Sequence, residues 1–355
     1  METGHTFEYL EKNAPELLER IKTLVKSNVV ELLATGYSHP ILPLLPRERV
    51  KVQLRDHINY LQQTFGITPK GAWPPELAIS PAVLAEFTRQ GIAWVAADYE
   101  HFSLAQQFGN DLNLFERRES TTTEILSEAF WSKGVKKISS YWRAYKQLLQ
   151  MNKQHTKPLR KLATTNEQAI RGFLCSVSWT NATQFAVGGH IPLYSRKKHL
   201  KAVLQSPAKH LPLYGSDIEF FGYRELAAEP AHPQALIDFL RQLNKQGIKT
   251  VSPSQISDWP TESSFIGTGS WSPDKSFRLW TGSEDNQELY RRSMEIYRIL
   301  AQEEWDKELM DQLEPYLRIL ENSDPRGWAP LPERKQEAYT AIQSIFTILE
   351  QEKRL

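Results

Sequence analysis

A helix signature followed at once by a short apolar strand recurs along this chain, and that alternation restricts the fold more than any other feature. In "SPAVLAEFTRQGIAWVAAD", Ser80 is placed to cap a helix, Pro81 takes the first helical position and Gly91 sits just past the end. The apolar run from Ile92 to Ala97 then reads as a strand leading into Asp98. "HPQALIDFLRQLNKQGIKTVSP" repeats the design: Pro233 opens a helix, Gly247 closes it, and Ile248 to Val251 reads as the next strand. Upstream, Val50, Leu54, Ile58, Leu61 and Phe65 mark a helix between a strand near 29–33 and another near 70–73. A further strand is expected at 173–177. Such alternation predicts an α/β fold with a parallel sheet and covering helices, open or closed into a barrel.

After about residue 283 the pattern becomes charged and helical. Ala338, Ile342, Ile345, Phe346 and Leu349 share one face of a final helix, so a C-terminal helical bundle or hairpin is expected there. A length of 355 residues suits one large α/β domain with such an appendage. The net charge of +1 gives no global attraction to nucleic acid or membrane. The local exception, 129–166, carries Lys and Arg with no Asp or Glu and reads as a solvated insertion of helix and loop. Nucleic acid is not an expected partner. A lone cysteine, Cys175, permits no intrachain disulfide and suggests a reducing compartment. The N-terminus lacks the pattern of a secretory signal, and no run is long and apolar enough to span a bilayer, so a cytoplasmic protein is expected.

The polar residues fall in a telling place on this frame. His39 follows the first expected strand, Glu76 the second, Asp98 ends the third, and Asp217 with Glu219 follows a later one. These are the C-terminal ends of parallel strands, where α/β folds place their sites. Two carboxylates from different strands suit glycosidic bond chemistry, one as nucleophile and the other as proton donor and then base. Phe220 and Phe221 beside Asp217 would disfavour its charged form, as a proton donor near neutral pH needs. Trp73 and Tyr214 lie close by in sequence, and ten Trp with thirteen Tyr supply flat faces for sugar rings. Singly, Glu76 also fits a carboxylate at a helix start and Asp217 a turn residue; together they favour a site. The nine His show no metal-ligand spacing, and no dinucleotide or phosphate-binding glycine loop occurs, so neither a metal nor another cofactor is expected. "GGH" at 188–190 reads as a turn.

At these residues the chain resembles glycoside hydrolase family 57. Trp73-Pro74-Pro75-Glu76 matches that family's nucleophile motif, Asp217, Glu219, Phe221 and Gly222 its acid/base motif, and Tyr37 to Pro40 its Tyr-x-His-Pro segment. The resemblance implies an incomplete seven-stranded (β/α) barrel over 1–265 and a C-terminal helical domain over 266–355. It implies retaining hydrolysis or transglycosylation of α-1,4-glucans, with Glu76 as nucleophile and Asp217 as acid/base. His39 and Asp98 would line the −1 sugar subsite. The segments "GTGSWSPDKSFRLWTGSEDNQELY" and "NSDPRGW" would bring Trp271, Trp280, Asp324 and Trp328 to the cleft.

Two departures stand against the family pattern. The family's first strand, with its His-x-Asn-Gln-Pro-like motif, has no counterpart, because "METGHTFEYLEK" reads as the start of a helix. Either a truncated start or a lost strand is implied, with an open barrel seam. Tyr223 stands where much of the family has His. A non-catalytic glucan-binding homologue is therefore the alternative, and a metal-dependent deacetylase on a similar barrel is a third. Hydrolysis is not separable from transfer or branching by these residues, and they leave the oligomeric state open.

Overall fold

The computed structural model describes residues 3–108, 158–165, 168–175, 180, 215, 233–327 and 331–352. The chain opens with a helical hairpin, α1 (Gly4–Asn13) and α2 (Pro15–Lys26). The Thr3 hydroxyl caps α1 by accepting from the Thr6 N–H, and Pro15 starts α2 where its missing N–H costs nothing. The long helix α3 (Arg47–Phe65) stops at Gly66, whose φ of 70° is the left-handed conformation that glycine reaches without strain. Then follow β1 (Gly71–Ala72), α4 (Pro81–Arg89), β2 (Trp94–Asp98) and α5 (Tyr99–Phe108). Ser80 caps α4 through the Val83 N–H, with Pro81 at the first position and Gly91 at φ 79° beyond the end.

Two further strands, β3 (Leu159–Ala163) and β4 (Ala169–Cys175), precede helix α6 (Pro233–Lys245) and β5 (Ser263–Ser264). The described strands form one five-stranded sheet in the order β1-β2-β4-β3-β5. β1, β2 and β4 run parallel, β3 lies antiparallel to β4, and β5 is parallel to β3. Among the described residues the sheet is open and mixed, where a wholly parallel one was expected. The expected strand at 29–33 enters the sheet only as a single parallel bridge from Ala34 to Ala72. Val29 and Val30 instead donate their N–H groups to Leu24 O at the end of α2. Ile248 to Val251 forms no ladder among the described residues. Ile248 N–H closes the end of α6 on Leu243 O, and Val251 is half exposed. The expected insertion at 129–166 contains β3, with Arg160 covering the Phe102 ring at 5.1 Å; residues 129–157 lie outside the described ones.

The C-terminal part is helical as expected: α7 (Glu284–Gln302), α8 (Lys307–Glu321) and α9 (Pro332–Glu352). Leu289, Ile296, Leu313, Leu317, Leu320, Ile342, Ile345 and Leu349 form their own buried cluster. A separate cluster joins the sheet to α3 and α4 through Val50, Leu54, Ile58, Leu84, Phe87, Val95 and Leu174. Between them the Arg49 guanidinium of α3 reaches Glu321 at 2.5 Å and Glu314 at 2.7 Å, both on α8. Glu321 is buried and also accepts from Gln53 at 2.6 Å and from the Tyr297 hydroxyl at 3.2 Å.

Removing one partner of a buried pair strands the other's charge. Arg49→Met is therefore expected to lower the unfolding free energy by about 3–5 kcal/mol in urea denaturation. Adding Glu321→Leu to it should recover most of that loss, because the orphaned charge is then gone.

Candidate active site

The turn after β1 places Glu76 in an uncommon conformation. Pro75–Leu77 forms a single 3-10 turn in which Glu76 has φ 57° and Leu77 φ 45°. Two successive left-handed residues other than glycine cost about 1–3 kcal/mol each, so neighbouring contacts must hold them. Those contacts come from the loop at 269–276. Trp271 donates its backbone N–H to Glu76 O at 3.0 Å and its indole N–H to Glu76 Oε2 at 2.5 Å. Ile79 and Gly269 exchange backbone hydrogen bonds of 2.9 and 3.1 Å beside them. Glu76 is half-buried, and Trp73 meets the Trp271 ring edge-on, with centroids 6.0 Å apart.

The clamping loop is internally tied. Ser270 and Ser272 each donate to Ser276 O at 2.7 Å, and Asp274 accepts from the N–H and hydroxyl of Ser276. Burial works against the Asp274 carboxylate, yet the bonds from Ser276 and Ser272 hold it below its ordinary value. Lys275, at φ 62°, turns a fully buried ammonium onto Asp98 at 3.1 Å and Glu100 at 3.3 Å. Burial opposes the charged form of Lys275, but the two carboxylates outweigh it and raise the ammonium above the usual lysine value. Asp98 also accepts the His101 N–H at 2.7 Å, while its other oxygen has no hydrogen-bond partner among the described residues.

His39 is a fourth left-handed residue, at φ 59°. Its Nδ1 lies 2.8 Å from Ser323 Oγ, its carbonyl accepts the Ser323 N–H, and Pro40 bridges to Asn322. Gly215 is packed so that an added Cβ would fall 2.1 Å from the Trp73 ring and 3.1 Å from Cys175 Sγ. Burial pushes the Cys175 thiol up to about 12, which removes it as a nucleophile at neutral pH.

The structure thus brings Glu76, Trp73 and Trp271 together and seats Asp98 beneath the same loop. One expected sugar contact is placed otherwise. Trp280 is only 1% exposed and packs with Ile41 and Ala78, so its ring is core. Asp324 is exposed, its N–H on Asn322 Oδ1. Asp217, Glu219, Phe221, Tyr214 and Trp328 lie outside the described residues. Sequence reasoning missed Lys275 and Ser323 themselves, although both lie in segments expected at the cleft, because attention there went to the neighbouring Trp and Asp residues. Among the described residues no cluster could hold a metal ion, and no helix is long and apolar enough to cross a membrane.

The family model for glycosyl hydrolase family 57 matches residues 2–264. Alpha-amylase 1 of Dictyoglomus thermophilum is 33% identical over 100 residues, which cover 28% of this chain and 15% of the amylase. A 4-alpha-glucanotransferase of Thermococcus litoralis is 29% identical over 103 residues, covering 29% of this chain and 16% of the relative. The match therefore spans under a fifth of either relative's length. The crystal structure of a GH57-type branching enzyme from Pyrococcus horikoshii superposes with a TM-score of 0.62 at 16% identity. That superposition covers 96% of this chain and 67% of the branching enzyme, and it shows a shared fold.

Burial pushes the His101 imidazole down to about 3, and the Lys275 ammonium adds to the shift. Between the ordinary value of 6.5 and about 3 the unfolded chain binds a proton that the folded one refuses. Stability from this group is therefore lost as pH falls through that window. His101→Leu should flatten the pH dependence of urea unfolding there by up to about 1.4 kcal/mol per pH unit, one proton's worth.

Proposed function

Because the chain belongs to glycosyl hydrolase family 57, we propose that it is a retaining enzyme of α-1,4-glucans, working by double displacement with Glu76 as nucleophile and Asp217 as acid/base. The observation that carries this reading is the Glu76 carboxylate, held in a left-handed turn at the end of a parallel strand and fixed by the Trp271 indole. Fixing one oxygen sets the rotation of the carboxylate, so that an oxygen meets the anomeric carbon without first surrendering rotational freedom. Attack by Glu76 would expel the glycosidic oxygen, protonated by Asp217, and leave a covalent glycosyl-enzyme. The Asp217 carboxylate would then take a proton from water or from a sugar hydroxyl, whose oxygen releases Glu76 with net retention. Gly215, two residues before Asp217 in the chain, lies against Trp73, which supports placing both carboxylates in one cleft.

Trp73 and Trp271 supply aromatic surface for sugar rings beside Glu76, and His39 is the proposed −1 contact; the Asp98 carboxylate, expected there too, is fully buried against Lys275 and supports the loop from beneath instead. In the same reading Tyr214, Glu219, Phe221 and Trp328 complete the cleft. The strands continue into an incomplete seven-stranded barrel over 1–265, followed by a helical domain over 266–355 whose first loop clamps Glu76. The cytoplasm is the proposed location.

Product analysis with a malto-oligosaccharide series tests the function. Wild type should give shorter sugars, or both shorter and longer ones if a sugar hydroxyl replaces water. Glu76→Gln should give none, and Asp217→Asn should lower kcat by about 10²–10⁴-fold, the usual range for general acid–base catalysis. Binding without turnover by wild type would assign the chain to the non-catalytic class, and turnover that survives Glu76→Gln sinks the mechanism.

A further inference from the structure

Lys275 is a buried side chain for which the proposed reaction has no use, and its setting is unusual for a lysine. Lysine is rarely buried unless paired, yet this one is 1% exposed and held at φ 62°. Its ammonium has three hydrogens to place. Asp98 Oδ2 stands at 3.1 Å, Glu100 Oε2 at 3.3 Å and the carbonyl oxygen of Trp271 at 3.4 Å. Two of these acceptors belong to the sheet side, where Asp98 ends β2 and Glu100 lies in the first turn of α5. The third is the backbone of the very residue that grips Glu76.

The connections of Trp271 then run in two directions. Its carbonyl is held by the Lys275 ammonium, and both its backbone N–H and its indole N–H end on Glu76. The loop is further seated because an added Cβ at Gly269 would fall 2.6 Å from His101 Nε2 and 2.6 Å from the Lys275 carbonyl. A purely stabilising role fits this arrangement poorly, since desolvation offsets most of the attraction in a buried ion pair. We propose that Lys275 is a positioning residue for Glu76, acting through Trp271: its ammonium ties the clamping loop to Asp98 and Glu100 and so fixes the indole on the carboxylate. The geometric link stands on the contacts alone; its catalytic consequence rests on Glu76 being the nucleophile.

Without the ammonium, Asp98 and Glu100 are left as neighbouring carboxylates under the loop, and the Trp271 carbonyl loses its anchor. The indole N–H of Trp271, identified by the signal that vanishes in Trp271→Phe, reports the link by ¹H–¹⁵N NMR whether or not the protein turns over. In wild type it should lie downfield and exchange slowly with solvent, as an N–H bonded to a carboxylate does. In Lys275→Met it should move upfield and exchange faster. Turnover of malto-oligosaccharides should then fall about 10²-fold in kcat, the scale of a small misplacement of a reacting group, with KM little changed. Lys275→Arg keeps the charge and should restore part of both signals. A folded Lys275→Met whose indole resonance is unmoved overturns the proposal. If Lys275→Met does not fold, Glu100→Gln removes one carboxylate from the ammonium and leaves Asp98 paired; a shifted indole there supports the proposal, and an unmoved one overturns it. An inactive wild type whose indole still responds to these substitutions would support the positioning link and reject the catalytic reading of Glu76.

Discussion

The buried carboxylate of Glu321 is the contact on which the arrangement of sheet and C-terminal helices depends. It gathers the Arg49 guanidinium, the Gln53 amide and the Tyr297 hydroxyl in a place closed to water. Gln53 in turn exchanges hydrogen bonds with Ser38, and the next residues after Glu321, Asn322 and Ser323, hold Pro40 and His39. One charged node therefore fixes both the seating of α8 on α3 and the turn that carries His39. Against an apolar replacement such a node gains little free energy. What it supplies is direction: four donors converge on two oxygens, and few other dockings of these helices would satisfy them all.

The site follows the same logic of strain held from a distance. Five described residues other than glycine have positive φ, and four of them, His39, Glu76, Leu77 and Lys275, stand at the candidate site or in its clamp. Of these four only His39 belongs to the types enriched in this conformation; Glu76, Leu77 and Lys275 do not. Each is held by partners far along the chain, so the local sequence alone does not settle its conformation.

That separation sets what was legible in the sequence. The caps Ser80, Pro81 and Gly91 announced α4 and β2, because capping is a short-range matter. Trp73 and Glu76 could be picked out together because both lie in one strand-end segment. β3 escaped because Arg160 and Lys161 gave it the look of a solvated segment, whereas Arg160 covers an aromatic ring and Leu159 and Leu162 are buried. Ile248 to Val251 has strand-forming residues but ends a helix instead, since β-propensity needs a neighbour to act on. Lys275 was invisible for a related reason: its burial is decided by Asp98 and Glu100, about 175 positions earlier in the numbering. Trp280 looked like a sugar platform only because sequence does not say which tryptophan faces inward.

The clamp on Glu76 also has a meaning in time. Trp271 follows Glu76 by 195 residues, and Ser323 follows His39 by 284. At about 5–20 residues per second of synthesis, the partners of those two strained turns emerge on the order of 10–60 s after the turns themselves. Until then the nascent chain holds the residues of the site without the contacts that keep them in left-handed conformation. The site is thus assembled later than its own residues are made: the growing polypeptide has its carboxylate early and its geometry late.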